Sequence, residues 1–160
     1  MPCGIHVKNA ATMAEQQKLS ETIGRWMEQK DRFAQLLGIR LQEVAPGFSQ
    51  VSLDVTDDML NAVGITHGGV TFALADFAFA VASNSHGKAA VALTAQINYP
   101  SASRAGDQLT AEAREANKTG RTGLYNVEVR NRDKELVALF TGTVYRRSDD
   151  VMDWINGETR

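Results

Sequence analysis

The hydrophobic period changes along the chain, and the changes divide it into elements. Leu19, Ile23, Trp26, Phe33 and Leu37 recur at roughly helical spacing. Thr12 and Glu15 form a T-x-x-E pair, the signature of a capping box, and Gly38 follows the last apolar position. This pattern predicts one amphipathic helix over 12–37 after a loose lead-in at 1–11. The period then falls to two: Val51, Leu53 and Val55 alternate with Ser52 and Asp54, as in a half-buried strand. The run at 39–44 pairs with it through a Pro46-Gly47 turn. A second helix is expected over 69–84, apolar nearly all round and therefore buried. Beyond it lie strand runs at 89–99, at Leu109, Ala111 and Ala113, at Tyr125, Val127 and Val129, and at 136–145. Gly106-Asp107, Lys118-Thr119-Gly120 and the 131–134 stretch supply short turns between them, which implies antiparallel pairing.

A sheet with one apolar face and a helix apolar on all sides satisfy each other in one arrangement. The expected fold class is α+β, a curved antiparallel sheet of five or six strands wrapped around one long central helix. The tail at 148–160 is polar until Met152, Trp154 and Ile155, too little apolar surface for a second domain. The chain is read as one domain over 12–147.

One residue breaks the apolar pattern. The stretch at 70–82 reads VTFALADFAFAVA, with Asp76 as its single charge. A carboxylate there is costly unless it is partnered or its pKa rises, which makes Asp76 the leading candidate for a reacting group. The plain alternative is a cap or an acceptor for a backbone N–H. Thr66-His67-Gly68-Gly69 opens the same helix. Those glycines either let a ligand approach the helix N-terminus or simply start the helix.

Composition narrows the function classes. The chain has 160 residues, a net charge of -2 and scattered basic residues, so nothing favours nucleic acid or a membrane surface. The single cysteine, Cys3, allows no internal disulfide and fits a reducing compartment. No apolar run reaches the ~20 residues that a membrane span needs, and no secretory leader is evident, so the cytoplasm is the expected location. His6, His67 and His86 are too scattered for a metal site, and no metal is expected.

The order of elements, with Asn61 six residues before His67 and Asp76 nine after it, resembles the hotdog-fold acyl-CoA thioesterases, in particular the phenylacetic-acid-degradation subfamily. The likeness includes Met59-Leu60-Asn61, His67-Gly68-Gly69 and Leu74-Ala75-Asp76, and continues through Phe77-Ala78-Phe79-Ala80 and Ser83-Asn84-Ser85. It reaches Ala105-Gly106-Asp107, Thr122-Gly123-Leu124-Tyr125 and Val137-Ala138-Leu139-Phe140, spanning about 36–147. The resemblance implies hydrolysis of an aryl- or arylacetyl-CoA, with coenzyme A as part of the substrate and no separate cofactor. It also implies a homodimer, itself paired into a homotetramer.

The residue types suit that chemistry. Asp76 can attack a thioester as a nucleophile or activate water as a base. Gly68 or Gly69 can present a backbone N–H to the developing oxyanion. Asn61 can donate to the thioester oxygen or orient water, or it can be a turn residue. His67 is expected to brace the turn. Phe72 and Phe79 are expected to line the acyl pocket, and Thr94 to face Asp76 or merely to favour the strand. Arg104, Lys118 and Arg121 are candidates for the coenzyme A phosphates, against ordinary solvated charges. A helix rises ~1.5 Å per residue, so Gly68 and Asp76 stand roughly 12 Å apart and cannot serve one carbonyl. Two antiparallel copies can, with Gly68 of one meeting Asp76 of the other. Two other readings are a hotdog hydratase or dehydratase, which needs a catalytic His, and a non-catalytic acyl-CoA-binding protein, which needs an output module.

Overall fold

In a computed structural model of the chain, residues 5–157 are described, those at 5–11 through the backbone alone. Cys3 lies outside them. The order is α1 (Ile5–Lys30), α2 (Arg32–Leu37), β1 (Arg40–Ala45), β2 (Phe48–Asp54), α3 (Gly68–Asn84), β3 (Lys88–Asn98), β4 (Gln108–Lys118), β5 (Thr122–Arg130), β6 (Leu136–Asp150) and α4 (Val151–Ile155). The six strands form one sheet in the order β1-β2-β4-β5-β6-β3, and every pairing is antiparallel. The sheet curves around α3, as the two amphipathic patterns require.

The core lies between α3 and the inner face of the sheet. Leu74, Ala75, Ala78, Phe79, Val81 and Ala82 are buried there against Val51, Leu53, Leu109, Ala111, Val127, Val129 and Phe140. Phe79 sits in an edge-on aromatic group with Tyr125, at 5.6 Å between ring centroids, and tilts against Phe140 at 5.5 Å. Gly142 of β6 makes room for it, since a Cβ there would lie 2.8 Å from Phe79 Cζ and 2.9 Å from Phe140 Cε1.

Buried polar groups fix the helix along its axis. Ser49 Oγ donates to Ala78 O at 2.7 Å, tying β2 to the middle of α3. At the C-terminal end, the Gly47 N–H donates to Ser85 Oγ at 2.8 Å, and the Ala90 N–H donates to Asn84 Oδ1 at 2.9 Å. The Ser83-Asn84-Ser85 run therefore anchors the helix to the β1–β2 turn and to β3, and each group removed from water finds a partner.

Two boundaries differ from the sequence expectation. The N-terminal helix begins at Ile5, so Thr12 and Glu15 are interior to α1, and it breaks at Asp31. Asp31 caps a new helix: its Oδ1 accepts the N–H groups of Phe33 and Ala34 at 3.0 and 2.9 Å. Gly38, at φ 71°, ends that helix. Ala34 is buried, whereas Phe33, expected on the buried stripe, is 58% exposed. At the other end, β6 runs to Asp150 and α4 follows. Val151 joins Ile23 of α1 and Ala89 in a small second cluster, with Trp26, Met152 and Trp154 packed around it. Residues 148–155 are thus part of the fold, not a polar tail.

Candidate active site

The loop before α3 folds on itself. Asn61 Oδ1 accepts the N–H groups of Val63 and Ile65 at 3.0 and 3.3 Å, and Gly64 closes the turn at φ 78°. Thr66 is tied to Ser103 through both backbone and hydroxyl, at 2.8 and 2.7 Å. Asn61 is therefore a turn-forming residue through its oxygen, and its Nδ2 has no partner among the described residues.

His67 is the N-cap of α3. Its Nδ1 accepts the Gly69 N–H at 2.9 Å, which puts the ring proton on Nε2 in the neutral imidazole. Gly69 makes that cap possible, since a Cβ there would lie 3.0 Å from His67 Nδ1. The Val70 N–H bonds to His67 O at 2.9 Å. The Gly68 N–H has no partner among the described residues, and it lies at the positive end of a 17-residue helix.

The fold does not demand a glycine at position 68. Its φ is not positive, and an added Cβ would make only ordinary contact, 3.4 Å, with the Tyr99 ring. Tyr99 instead donates its hydroxyl to Gly68 O at 3.0 Å. A glycine at this position leaves the helix N-terminus open to close approach. Gly68, Asn61, Tyr99, Ser101 and Ser103 share one hollow of about 220 Å³.

Asp76 opens into a different hollow, of about 370 Å³, on the side of α3 facing α2. Phe72, Ala73, Asp31, Phe33 and Ile39 surround it. Asp76 is half-buried and has no hydrogen bond among the described residues. Desolvation raises its pKa above the ordinary carboxylate value, and the nearby Asp31 carboxylate adds to the rise. A carboxylate of this kind is a stronger base and nucleophile than one in water.

The other expected site residues divide. Phe72 lines the Asp76 hollow and meets Phe140 edge-on at 5.6 Å between ring centroids. Phe79 is 1% exposed and lies in the core, lining neither hollow. Thr94 lies on the exposed run of β3, in neither hollow, with its hydroxyl 2.7 Å from that of Thr143. Arg104 lies in the β3–β4 connection, whereas Lys118 ends β4 and Arg121 follows it. At ~3.3 Å per residue, β4 separates these ends by about 33 Å, so one protomer does not gather the three cations. Lys118 and Arg121 do share one end. Lys118 Nζ is 3.4 Å from His86 Nδ1, and Arg146 reaches the same turn, donating to Thr119 O at 2.8 Å.

Sequence reasoning missed Asp31, Tyr99 and Arg146. A capping Asp followed by a resumed helix carries a local signal for Asp31. The other two depend on contacts between distant segments.

Comparison with known proteins places the fold in a family. Residues 63–138, from the loop through α3 into β6, match the thioesterase superfamily. A putative esterase of Archaeoglobus fulgidus is 40% identical over 94% of this chain and 97% of its own. The acyl-coenzyme A thioesterase PaaI of Escherichia coli is 42% identical over 75% of this chain and 86% of its own. The solved structure of the E. coli protein superposes with a TM-score of 0.82, at 38% identity, covering 84% of this chain and 97% of that one. A Streptococcus mutans protein, smu.793, solved bound to acetyl-CoA, has a TM-score of 0.66 at 32% identity over 68% of this chain and 88% of that one. The chain belongs to the thioesterase superfamily, as a hotdog-fold acyl-CoA thioesterase of the PaaI type.

Proposed function

We propose that this thioesterase hydrolyses an aryl- or arylacetyl-CoA, phenylacetyl-CoA or a hydroxylated relative, at sites built from two protomers. The observation that carries the reading is the separation of the chemical groups. An unpartnered carboxylate of raised pKa and an unpartnered N–H at a helix N-terminus stand on one helix but open into different hollows. Each is half of a thioesterase site.

The open edge of β3 offers the means of joining them. β3 pairs with β6 on one side, and its other edge is unpaired among the described residues. Residues 91–96 are exposed throughout, and Leu93 is 60% exposed. An eleven-residue edge with apolar side chains exposed is a template for pairing with another strand. Antiparallel pairing with β3 of a second copy sets the two α3 helices antiparallel on one side of a continuous sheet. Association of two such dimers into a tetramer fits the family resemblance.

In the composite site, the Gly68 N–H of one protomer and the dipole of its helix stabilise the oxyanion of the thioester carbonyl. Asp76 of the other protomer attacks the carbonyl carbon to form a mixed anhydride, or removes a proton from the attacking water. Either route expels the coenzyme A thiolate. Asn61 Nδ2 supplies a second donor beside Gly68. His67 holds the turn and is not the base, because its Nδ1 is committed to the Gly69 N–H; that weighs against a hydratase, which needs a free catalytic His. Coenzyme A enters only as part of the substrate, its phosphates met by Lys118 and Arg121, with Arg146 beside them. Free-thiol release from phenylacetyl-, benzoyl-, hexanoyl- and palmitoyl-CoA tests the assignment. The aryl substrates are expected to have the highest kcat/KM. A tenfold preference for palmitoyl-CoA would overturn the substrate class.

A further inference from the structure

We infer that α2 is the acyl-recognition element and that Phe33 sets which acyl group the site prefers. The inference rests on Asp76 as the reacting carboxylate and goes beyond it to an element with no part in the chemistry. The hollow at Asp76 has two walls. One is the face of α3 that carries Phe72 and Asp76, and the other is made by Asp31, Phe33, Ala34 and Ile39. An acyl group whose carbonyl carbon is held at Asp76 extends into the space between these walls.

The wall is a consequence of the break at Asp31. The Asp31 carboxylate holds the N–H groups of Phe33 and Ala34 and starts a six-residue helix whose other end is fixed by Gly38. The Ile39 N–H then bonds to Ala34 O at 2.9 Å, which holds the far side of the wall. Ala34 and Ile39 turn inward to the core, whereas Phe33 is left 58% exposed beside a catalytic carboxylate. A large aromatic side chain held on a doubly capped helix, in the hollow but outside the core, has the properties of a binding anchor. Leu36, on the same short helix, is 77% exposed and does not line the hollow, so exposure alone does not distinguish Phe33. Position does. A ring between Phe33 and Phe72 is held by aromatic packing that a straight chain does not reproduce.

The test is the ratio of kcat/KM for phenylacetyl-CoA to that for hexanoyl-CoA, in wild type, Phe33→Ala and Leu36→Ala. Phe33→Ala is expected to lower the ratio at least tenfold, and Leu36→Ala to leave it within threefold. A ratio within threefold of wild type in Phe33→Ala, or an equal fall in both variants, overturns the inference. The substrate reading fails separately, if wild type itself prefers hexanoyl-CoA. In that case the inference still stands if Phe33→Ala moves the ratio tenfold in either direction, and falls if it does not.

Discussion

Asp76 couples function to stability in opposite senses. Its pKa is raised in the folded protein, first by desolvation and then by Asp31. The native state therefore holds a proton that the unfolded chain releases, over the range between the ordinary and the raised value. Stability falls as pH rises through that window and stays lower above it. Asp76→Asn removes the ionisation while keeping the shape. The variant is expected to melt at a higher temperature than wild type at neutral pH, with the difference vanishing in acid below the ordinary carboxylate range. It is also expected to lose at least ~10²-fold in kcat. Thermal melts across pH, beside thiol-release assays, check both halves. A variant that is no more stable at neutral pH, or that turns over within threefold of wild type, contradicts the role given to Asp76. This residue stands out in the sequence as the one charge in a long apolar run, and the structure shows no hydrogen bond among the described residues that would make it a cap. Phe79 is ambiguous for the complementary reason: an aromatic residue in the same run looks alike whether it faces the core or a ligand. Only the contacts with Tyr125, Phe140 and Gly142 distinguish the two.

The strands of the sheet were legible because period-two alternation, as in Tyr125-Val127-Val129, reports which face is buried. All six strand runs are marked in this way or by β-rich composition, but the strand order depends on pairing between distant segments, which periodicity does not encode. Helix boundaries were less legible. Leu19, Ile23 and Trp26 continue into Phe33 and Leu37 with nearly the right spacing, and the break at Asp31 is visible only as a capping residue among many polar ones. The fit of α3 into the sheet gives this scale its own prediction. Gly142→Ala adds a methyl group where Phe79 and Phe140 already lie within 3 Å of the Cβ position. Both rings are enclosed on every side, so the contact is relieved only by moving the aromatic group or the strand. The expected cost is about 1–3 kcal/mol of folding stability, measured by denaturant unfolding. A variant as stable as wild type would mean that the aromatic group has slack that the packing does not indicate.

On the scale of the whole molecule, Asp76 and Gly68 of one protomer line different hollows, and the proposed site needs both groups. The β3 edge is open, the Asp76 hollow and the Gly68 hollow face different surroundings, and no described side chain bridges them. The sequence already contained the reason, since two groups eight residues apart on one helix stand roughly 12 Å from each other. It did not contain the edge by which a second copy would bring them together. The most direct test mixes purified Asp76→Ala with Gly68→Val under conditions that exchange subunits. Each variant alone is expected to be inactive. At equal mixing about half the dimers are heterodimers, and each holds one site with both defects and one site with neither. Activity is then expected to recover to roughly a quarter of the wild-type value, if sites act independently. No recovery, with subunit exchange verified by mass-tagged protomers, would show that each site lies within one protomer and would contradict the account.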